Sequence, residues 1–355
     1  STGTGSAPWR RRCTDSPSKT SEVSKTSEVC AVMIGFDMAT SSESPTNRPP
    51  REIFRAYLEL IRAPNVFTAM ADVVAGFLFA NPFMTSDQGL LLALLVGASS
   101  CLYAAGVALN DVFDADLDFL ERPERPIPSG RIPPAVARRL GHGLLVAGVI
   151  LAGTAAGLAG TPRTGILGLV LAGCIVLYNG VLKRTPFGPL AMGACRTLNM
   201  LLGMSACLLP WGPGHWLAAA SIGVYIAGVT WLSRGETGAA SRWQLALATV
   251  VIVAGIAMLL ALPSLVESCV PLLQIEPLRW YLLIGVLGTF TALRCLQTVA
   301  EPEPEVIQAA VKHCILSLVI LDAAICFVVW GLQGAIVVIL FLAPVLLLGR
   351  WIYST

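Results

Sequence analysis

The chain has 355 residues, 55% hydrophobic and only 13% charged, with a formal net charge of +2 and a mean hydropathy of +0.71. Soluble domains carry roughly 25% charged residues, so this composition excludes an ordinary soluble enzyme. The near-neutral charge argues against a nucleic-acid partner.

Residues 1–50 stand apart. They are rich in Ser, Thr and Pro, with Arg10-Arg11-Arg12 and a tandem Ser-Lys-Thr-Ser-Glu-Val at 18–23 and 24–29. Such a segment buries too little apolar surface to offset its ordering entropy. It has no secretory apolar stretch, and Asp15, Glu22, Glu28, Asp37 and Glu43 argue against an organellar transit peptide. The expectation is a disordered tail, or residues upstream of a true start at Met33 or Met38. Residues 51–355 read as one membrane domain.

Ten apolar blocks follow, each near the roughly 20 residues that a bilayer-spanning helix needs. They run at 64–84, 88–113, 136–160, 162–182, 188–210, 214–233, 243–266, 278–298, 306–330 and 334–352. Gly and Ala within them permit close helix packing. The second block ends in Asn110-Asp111-Val112-Phe113-Asp114-Ala115-Asp116-Leu117-Asp118. Asn110, Asp114 and Asp118 are four residues apart, which on one helix stacks three oxygen-bearing side chains on a stripe. Hard oxygens at a helix end suit Mg²⁺ that is also held by substrate phosphates; Asp116 falls on another face. The loop Arg122-Pro123-Glu124-Arg125-Pro126-Ile127-Pro128-Ser129-Gly130-Arg131 comes next, its prolines preventing helix continuation.

The fourth block closes on Tyr178-Asn179-Gly180-Val181-Leu182-Lys183-Arg184, a pattern that also fits any interfacial helix end. Arg196 lies inside the fifth block with Asn199 three residues on, on the same face. An intramembrane Arg faces a cavity or a partner. Asp72 and Asp322 are the available counter-charges, and a structural Arg–Asp pair or a contact to a bound diphosphate or acceptor both fit. The sixth block ends Thr230-Trp231-Leu232-Ser233-Arg234-Gly235-Glu236-Thr237-Gly238.

Fifteen Lys and Arg flank one side of these blocks: Arg51, Arg55, Arg62, Arg122, Arg125, Arg131, Arg138, Arg139, Lys183, Arg184, Arg234, Arg242, Arg294, Lys312 and Arg350. Only Arg163 and Arg279 flank the other. The positive-inside rule therefore turns the acidic motif and both termini to the cytoplasm. The ten cysteines form no CxxC pair, and the three histidines are isolated, so neither zinc nor a disulfide framework is indicated.

The joint pattern NDxxDxxxD followed by R-P-x-P-S-G-R resembles the UbiA superfamily of intramembrane prenyltransferases. That resemblance implies an all-α polytopic bundle, nine core spans plus a tenth, around a central cavity. It implies Mg²⁺ on Asn110, Asp114 and Asp118, and an isoprenyl diphosphate donor held by Arg122, Arg125, Arg131, Tyr178, Lys183 and Arg184. Arg196 and Asn199 would lie in the cavity. The family's second acidic motif, DxxxD, falls here on Ser233 and Thr237, leaving Glu236 as the carboxylate and, with Asp114 and Asp118, a catalytic candidate. Within the superfamily, Thr230–Thr237, Tyr178–Leu190 and Gly193–Gly203 resemble the EboC branch, the UbiA-like membrane proteins of bacterial ebo gene clusters linked to export of secondary-metabolite precursors. This implies the bacterial inner membrane and other ebo-cluster proteins as partners.

The expected function is Mg²⁺-dependent transfer of an isoprenyl group to an acceptor within the bilayer. The alternative is a non-catalytic UbiA-like protein that binds or helps export a prenylated or aromatic precursor, favoured by Ser233 and Thr237. A soluble terpene-type synthase is excluded by the ten blocks. An EF-hand over Asp114-Ala115-Asp116-Leu117-Asp118 is excluded because Phe119 and Arg125 stand where Gly and Glu are needed.

Overall fold

The computed structural model describes residues 49–83, 88–237, 241–266 and 276–352; the segment 1–48 lies outside them. Among the described residues every regular element is helical. Helix α1 spans Pro50–Leu60, α2 Ala63–Ala80, α3 Gln88–Phe113, α4 Ala115–Glu121, α5 Pro134–Ala159, α6 Pro162–Gly180 and α7 Gly188–Met204. They are followed by α8 Pro213–Ser233, α9 Arg242–Met258, α10 Leu262–Val266, α11 Pro277–Ala300, α12 Pro304–Ile339 and α13 Leu342–Trp351. Short 3₁₀ turns occur at Leu182–Arg184, Arg234–Thr237 and Leu259–Ala261. Many helices open on proline, as do α5, α6, α8, α11 and α12, where its missing N–H costs nothing and its fixed φ suits the first turn.

Eight of the described helical stretches are long and apolar enough to cross a membrane. Their outer surfaces carry exposed Val146, Ile150, Leu282, Val286 and Phe290, as expected where lipid replaces water. This is a multi-pass membrane protein. Nine of the predicted blocks fall on these stretches with shifts at their ends, 306–330 and 334–352 sharing Pro304–Trp351. The block 188–210 shortens to α7, and 243–266 contains α9, a 3₁₀ turn and α10. The predicted break between 330 and 334 falls on Gly331, whose non-helical backbone (φ 59°, ψ −148°) kinks α12; glycine adopts such angles without a Cβ clash.

Successive helices α5 to α9 pack each on the next, α3 packs on α5, and α2 meets α3, α7, α12 and α13. Helix α2 is accordingly the centre of the bundle: of its eighteen residues only Asn65, Phe67 and Met70 are not buried. Its crossing with α7 is set by two glycines. A Cβ on Gly76 would strike the Met200 backbone, and one on Gly203 the Val73 backbone. Close backbone approach of this kind replaces the missing hydrophobic drive between helices in lipid.

A second, small core fixes the loop after α4. Ile127 and Ile132 are buried with Ala56 and Leu60 of α1, Ala108 of α3 and Ala137 of α5. Ser129 Oγ donates to Arg125 O at 2.7 Å, and Gly130 takes φ +67°. The loop is thereby a rigid platform under its own arginines.

Candidate active site

A cavity of about 750 Å³ opens among α2, α3, α6, α7, α8, α12 and α13. Its walls are apolar (Leu102, Leu171, Ile175, Ile226, Val229). Its mouth is lined by Asn110, Asp114, Asp118, Arg122, Arg125, Lys183 and Glu236, and its inner part by Tyr103, Arg196 and Asn199. Tyr103 and Asp114 are eleven positions apart on the α3–α4 run, so the inner group lies about 16 Å from the mouth at 1.5 Å per residue.

The acidic stripe is built on a bent helix, where the sequence predicted a straight one. Helix α3 ends at Phe113, Asp114 takes φ −96° and ψ 3°, and α4 resumes at Ala115. The i→i−4 ladder nevertheless continues: Asp114 N donates to Asn110 O at 3.0 Å and Asp118 N to Asp114 O at 2.9 Å. The three side chains therefore keep one face, Asp114 and Asp118 are buried, and Asp116 is exposed.

Cations meet these oxygens one by one. Lys183 Nζ donates to Asn110 Oδ1 at 2.6 Å and also to Asp114 Oδ2. Arg125 pairs with Asp118 at 2.7 Å and with Asp111 at 3.4 Å. Arg184, largely exposed, stands 3.6 Å from Asp114 and donates to Phe113 O at 3.4 Å, outside the cavity lining. Burial lowers the Lys183 pKa from its ordinary value, and the Asp114 hydrogen bond opposes that shift. Tyr178 lines the cavity, as does Arg122.

Arg131 departs from the expected placement. It does not line the cavity; it pairs with Glu59 of α1 and donates to Glu124 O at 2.6 Å. Both contacts tie the loop to its platform, and Nε donates to Ser129 Oγ at 3.0 Å within the same loop. Ser233 and Glu236 line the mouth, with Ser233 Oγ donating to Thr230 O at 2.9 Å. The Thr237 side chain lies outside what the structure describes.

Arg196 takes Asp72 as its partner at 2.7 Å, donates to Thr68 Oγ1 at 3.0 Å and lies 5.3 Å over the Tyr103 ring. Asn199 Nδ2 donates to Asp72 Oδ2 at 3.0 Å and to Ala69 O at 2.9 Å. The structural pairing is thus present, and Arg196 and Asn199 line the cavity as well.

Sequence reasoning missed four groups. Asp111 is buried and shared by Arg62 (3.4 Å) and Arg125; its spacing of three from Asp114 and seven from Asp118 was the available signal. Arg62 is held in the left-handed region, φ 46°, rare for a non-glycine. Arg234 donates to Lys183 O and Thr185 O, both at 2.8 Å, pinning the 3₁₀ turn that carries Lys183. Finally, α13 contributes Val345, Leu346, Gly349 and Arg350 to the cavity.

Fold and site together define an intramembrane helical protein with a charged mouth over an apolar pocket. Residues 69–318 match the UbiA prenyltransferase family, and the chain belongs to that family. It is 35% identical over 153 residues to the digeranylgeranylglyceryl phosphate synthase of Ignicoccus hospitalis, covering 43% of this chain and 47% of that protein. It is 40% identical over 134 residues to the synthase of the same name from Methanopyrus kandleri, covering 37% and 45%. The chain spans about half the length of these curated relatives.

Among solved structures, a digeranylgeranylglyceryl phosphate synthase superposes with TM-score 0.56 at 22% identity, covering 79% of this chain and 100% of that one. A UbiA homologue from Archaeoglobus fulgidus bound to GPP and Mg²⁺ superposes with TM-score 0.53 at 15% identity, covering 80% and 99%. These likenesses establish the fold. Helix α13 and the second half of α12 lie beyond residue 318, where the family match ends.

Proposed function

We propose that the chain is an intramembrane prenyltransferase that binds an isoprenyl diphosphate with its diphosphate at the mouth and its chain in the apolar cavity. One observation carries this reading. Asn110 Oδ1 and Asp114 Oδ2 converge on a single cationic nitrogen, Lys183 Nζ, at the entrance of the apolar-walled cavity. Two hard oxygens already gathered on one cation, with Asp118 one helical turn on, form a donor set that fits Mg²⁺ shared with phosphate oxygens. Asn110, Asp114 and Asp118 would hold that ion, which would supply charge neutralisation for the leaving diphosphate.

The chain's own residues do the rest. Arg122, Arg125 and Lys183 ring the diphosphate and stabilise the negative charge that grows on it, with Tyr178 beside them and Arg184 at the outer rim. The C1–O bond breaks, and its electron pair leaves with the diphosphate. The allylic cation is sheltered by Leu102, Leu171, Ile175, Ile226 and Val229, which keep water from it. A nucleophilic atom of the acceptor then bonds to C1 and releases a proton. Arg131 has no part in this; its contacts are structural.

The narrower assignment to the EboC branch rests on the runs Tyr178–Leu190, Gly193–Gly203 and Thr230–Thr237. With it go the bacterial inner membrane, other ebo-cluster proteins as partners, and a mouth facing the cytoplasm, supported by the fifteen-to-two split of flanking cations.

A second reading, a UbiA-like protein that binds or helps export a prenylated or aromatic precursor without transferring a group, is favoured by Ser233 in the family's second acidic motif. The experiment that separates them measures diphosphate release from radiolabelled isoprenyl diphosphates by protein in lipid with Mg²⁺ and a panel of aromatic and polyol-phosphate acceptors. A transferase releases diphosphate and loses most of that activity in Glu236→Gln. A binder releases none with any acceptor, and Ser233→Asp with Thr237→Asp then creates release.

A further inference from the structure

Behind Arg196 lies a carboxyl group that the reaction above does not use. Asp322, from α12, is 0% exposed, as is Asp72 of α2. Cys326 and Trp330 of α12 donate to Ala75 O and Leu78 O of α2, and one turn back along the same packed faces Asp322 stands opposite Asp72. Yet both Asp322 oxygens and Asp72 Oδ1 lack any donor. Asp72 Oδ2 is satisfied by Arg196 and Asn199, which leaves Asp72 Oδ1 open. The other groups around them are Cys326 of α12, which donates to Ala75 O at 3.6 Å, and Tyr103 of α3, beyond the guanidinium. Neither supplies positive charge.

Two carboxylates facing one guanidinium leave a net negative charge in the bundle interior. An uncompensated buried charge costs several kcal/mol, and carboxyl groups in that position bind a proton instead. An O–H on Asp322 aimed at Asp72 Oδ1 gives a partner to two of the three orphaned oxygens, and the third becomes a neutral carbonyl oxygen in place of half a carboxylate. It also leaves Arg196 and Asp72 as a single neutral pair.

We infer that Asp72 and Asp322 hold one proton between them. They form an intramembrane proton-binding site in which protonated Asp322 donates to Asp72 and Asp72 accepts from Arg196. The site is independent of whether the chain transfers a prenyl group. It gives the inner part of the cavity N–H donors with no net charge.

The test is infrared spectroscopy of the purified full chain in lipid nanodiscs, unlabelled and with ¹³C-aspartate. The wild type shows a protonated carboxylic C=O band that shifts on ¹³C labelling. Asp322→Asn removes that band while keeping an isosteric amide to donate to Asp72, so its thermal unfolding stays close to wild type. Asp322→Leu removes the band too and keeps the Arg196–Asp72 pair, so either variant reports if the other does not insert. The inference is overturned if the wild type lacks the band, or if the band persists unchanged in the Asp322 variants. It is equally overturned if NaCl, against choline chloride at equal ionic strength, stabilises the wild type but not Asp322→Asn, for then a metal cation fills the gap.

Discussion

Replacing Arg196 with Met removes the cation from a carboxylate that water does not reach. Asp72 is 0% exposed and loses its 2.7 Å ion pair, keeping the 3.0 Å donor from Asn199 on the same oxygen and the inferred Asp322 O–H on the other, neither of which carries a positive charge. Breaking a buried pair from one side costs about 3–5 kcal/mol. Thermal unfolding in detergent at pH 7, followed by circular dichroism, measures it. Arg196→Met with Asp72→Asn should recover most of the stability at pH 7. No loss in Arg196→Met, or no recovery in the double variant, would refute the reasoning.

At the mouth, Asp114→Ala should abolish Mg²⁺-dependent binding of an isoprenyl diphosphate in a filter or calorimetric assay, while Asp116→Ala, on the exposed face, leaves it within twofold. Lys183→Met removes a charge-assisted contact worth about 1.5–3 kcal/mol, so diphosphate affinity should fall roughly 10- to 150-fold; an unchanged Kd would remove Lys183 from the site. Arg131→Gln should lower thermal stability through loss of the Glu59 tie and leave that Kd unchanged, the opposite pattern to Lys183→Met. Gly203→Val forces α2 and α7 apart at their closest approach and should cost about 1–3 kcal/mol or more, read as a lower unfolding temperature; an unaltered temperature means the crossing is not tight there.

The spans were legible because lipid imposes a simple rule: long apolar blocks with their charges at the ends. Where that rule is silent, the reading drifted. Helix α1 and the loop core of Ile127 and Ile132 carry a short amphipathic pattern that hydropathy over long windows ignores. The break at Asp114 is a local backbone choice that preserves the hydrogen-bond ladder, so no residue type announces it. Asn110, Asp114 and Asp118 could be placed together because helical spacing fixes their face. The tie of Arg131 to Glu59 joins positions far apart in the chain, and nothing in either neighbourhood distinguishes a structural arginine from one facing a ligand. Asp111 was hidden by its neighbours, since a motif dense in carboxylates invites attention to the regular i, i+4 set. Arg196 was the easier case: a lone guanidinium within an apolar block has to find an anion, and Asp72 was one of two on offer.

The central claim is that the oxygens of Asn110 and Asp114 and the cations around them serve a diphosphate that leaves. It is tested most directly by diphosphate release from a radiolabelled isoprenyl diphosphate, measured on the purified chain in lipid with and without Mg²⁺, wild type beside Asp114→Ala. The account predicts release that requires Mg²⁺, rises with a suitable acceptor and disappears in Asp114→Ala. Release that persists in that variant, or Mg²⁺-dependent binding with no release under any acceptor, would contradict it.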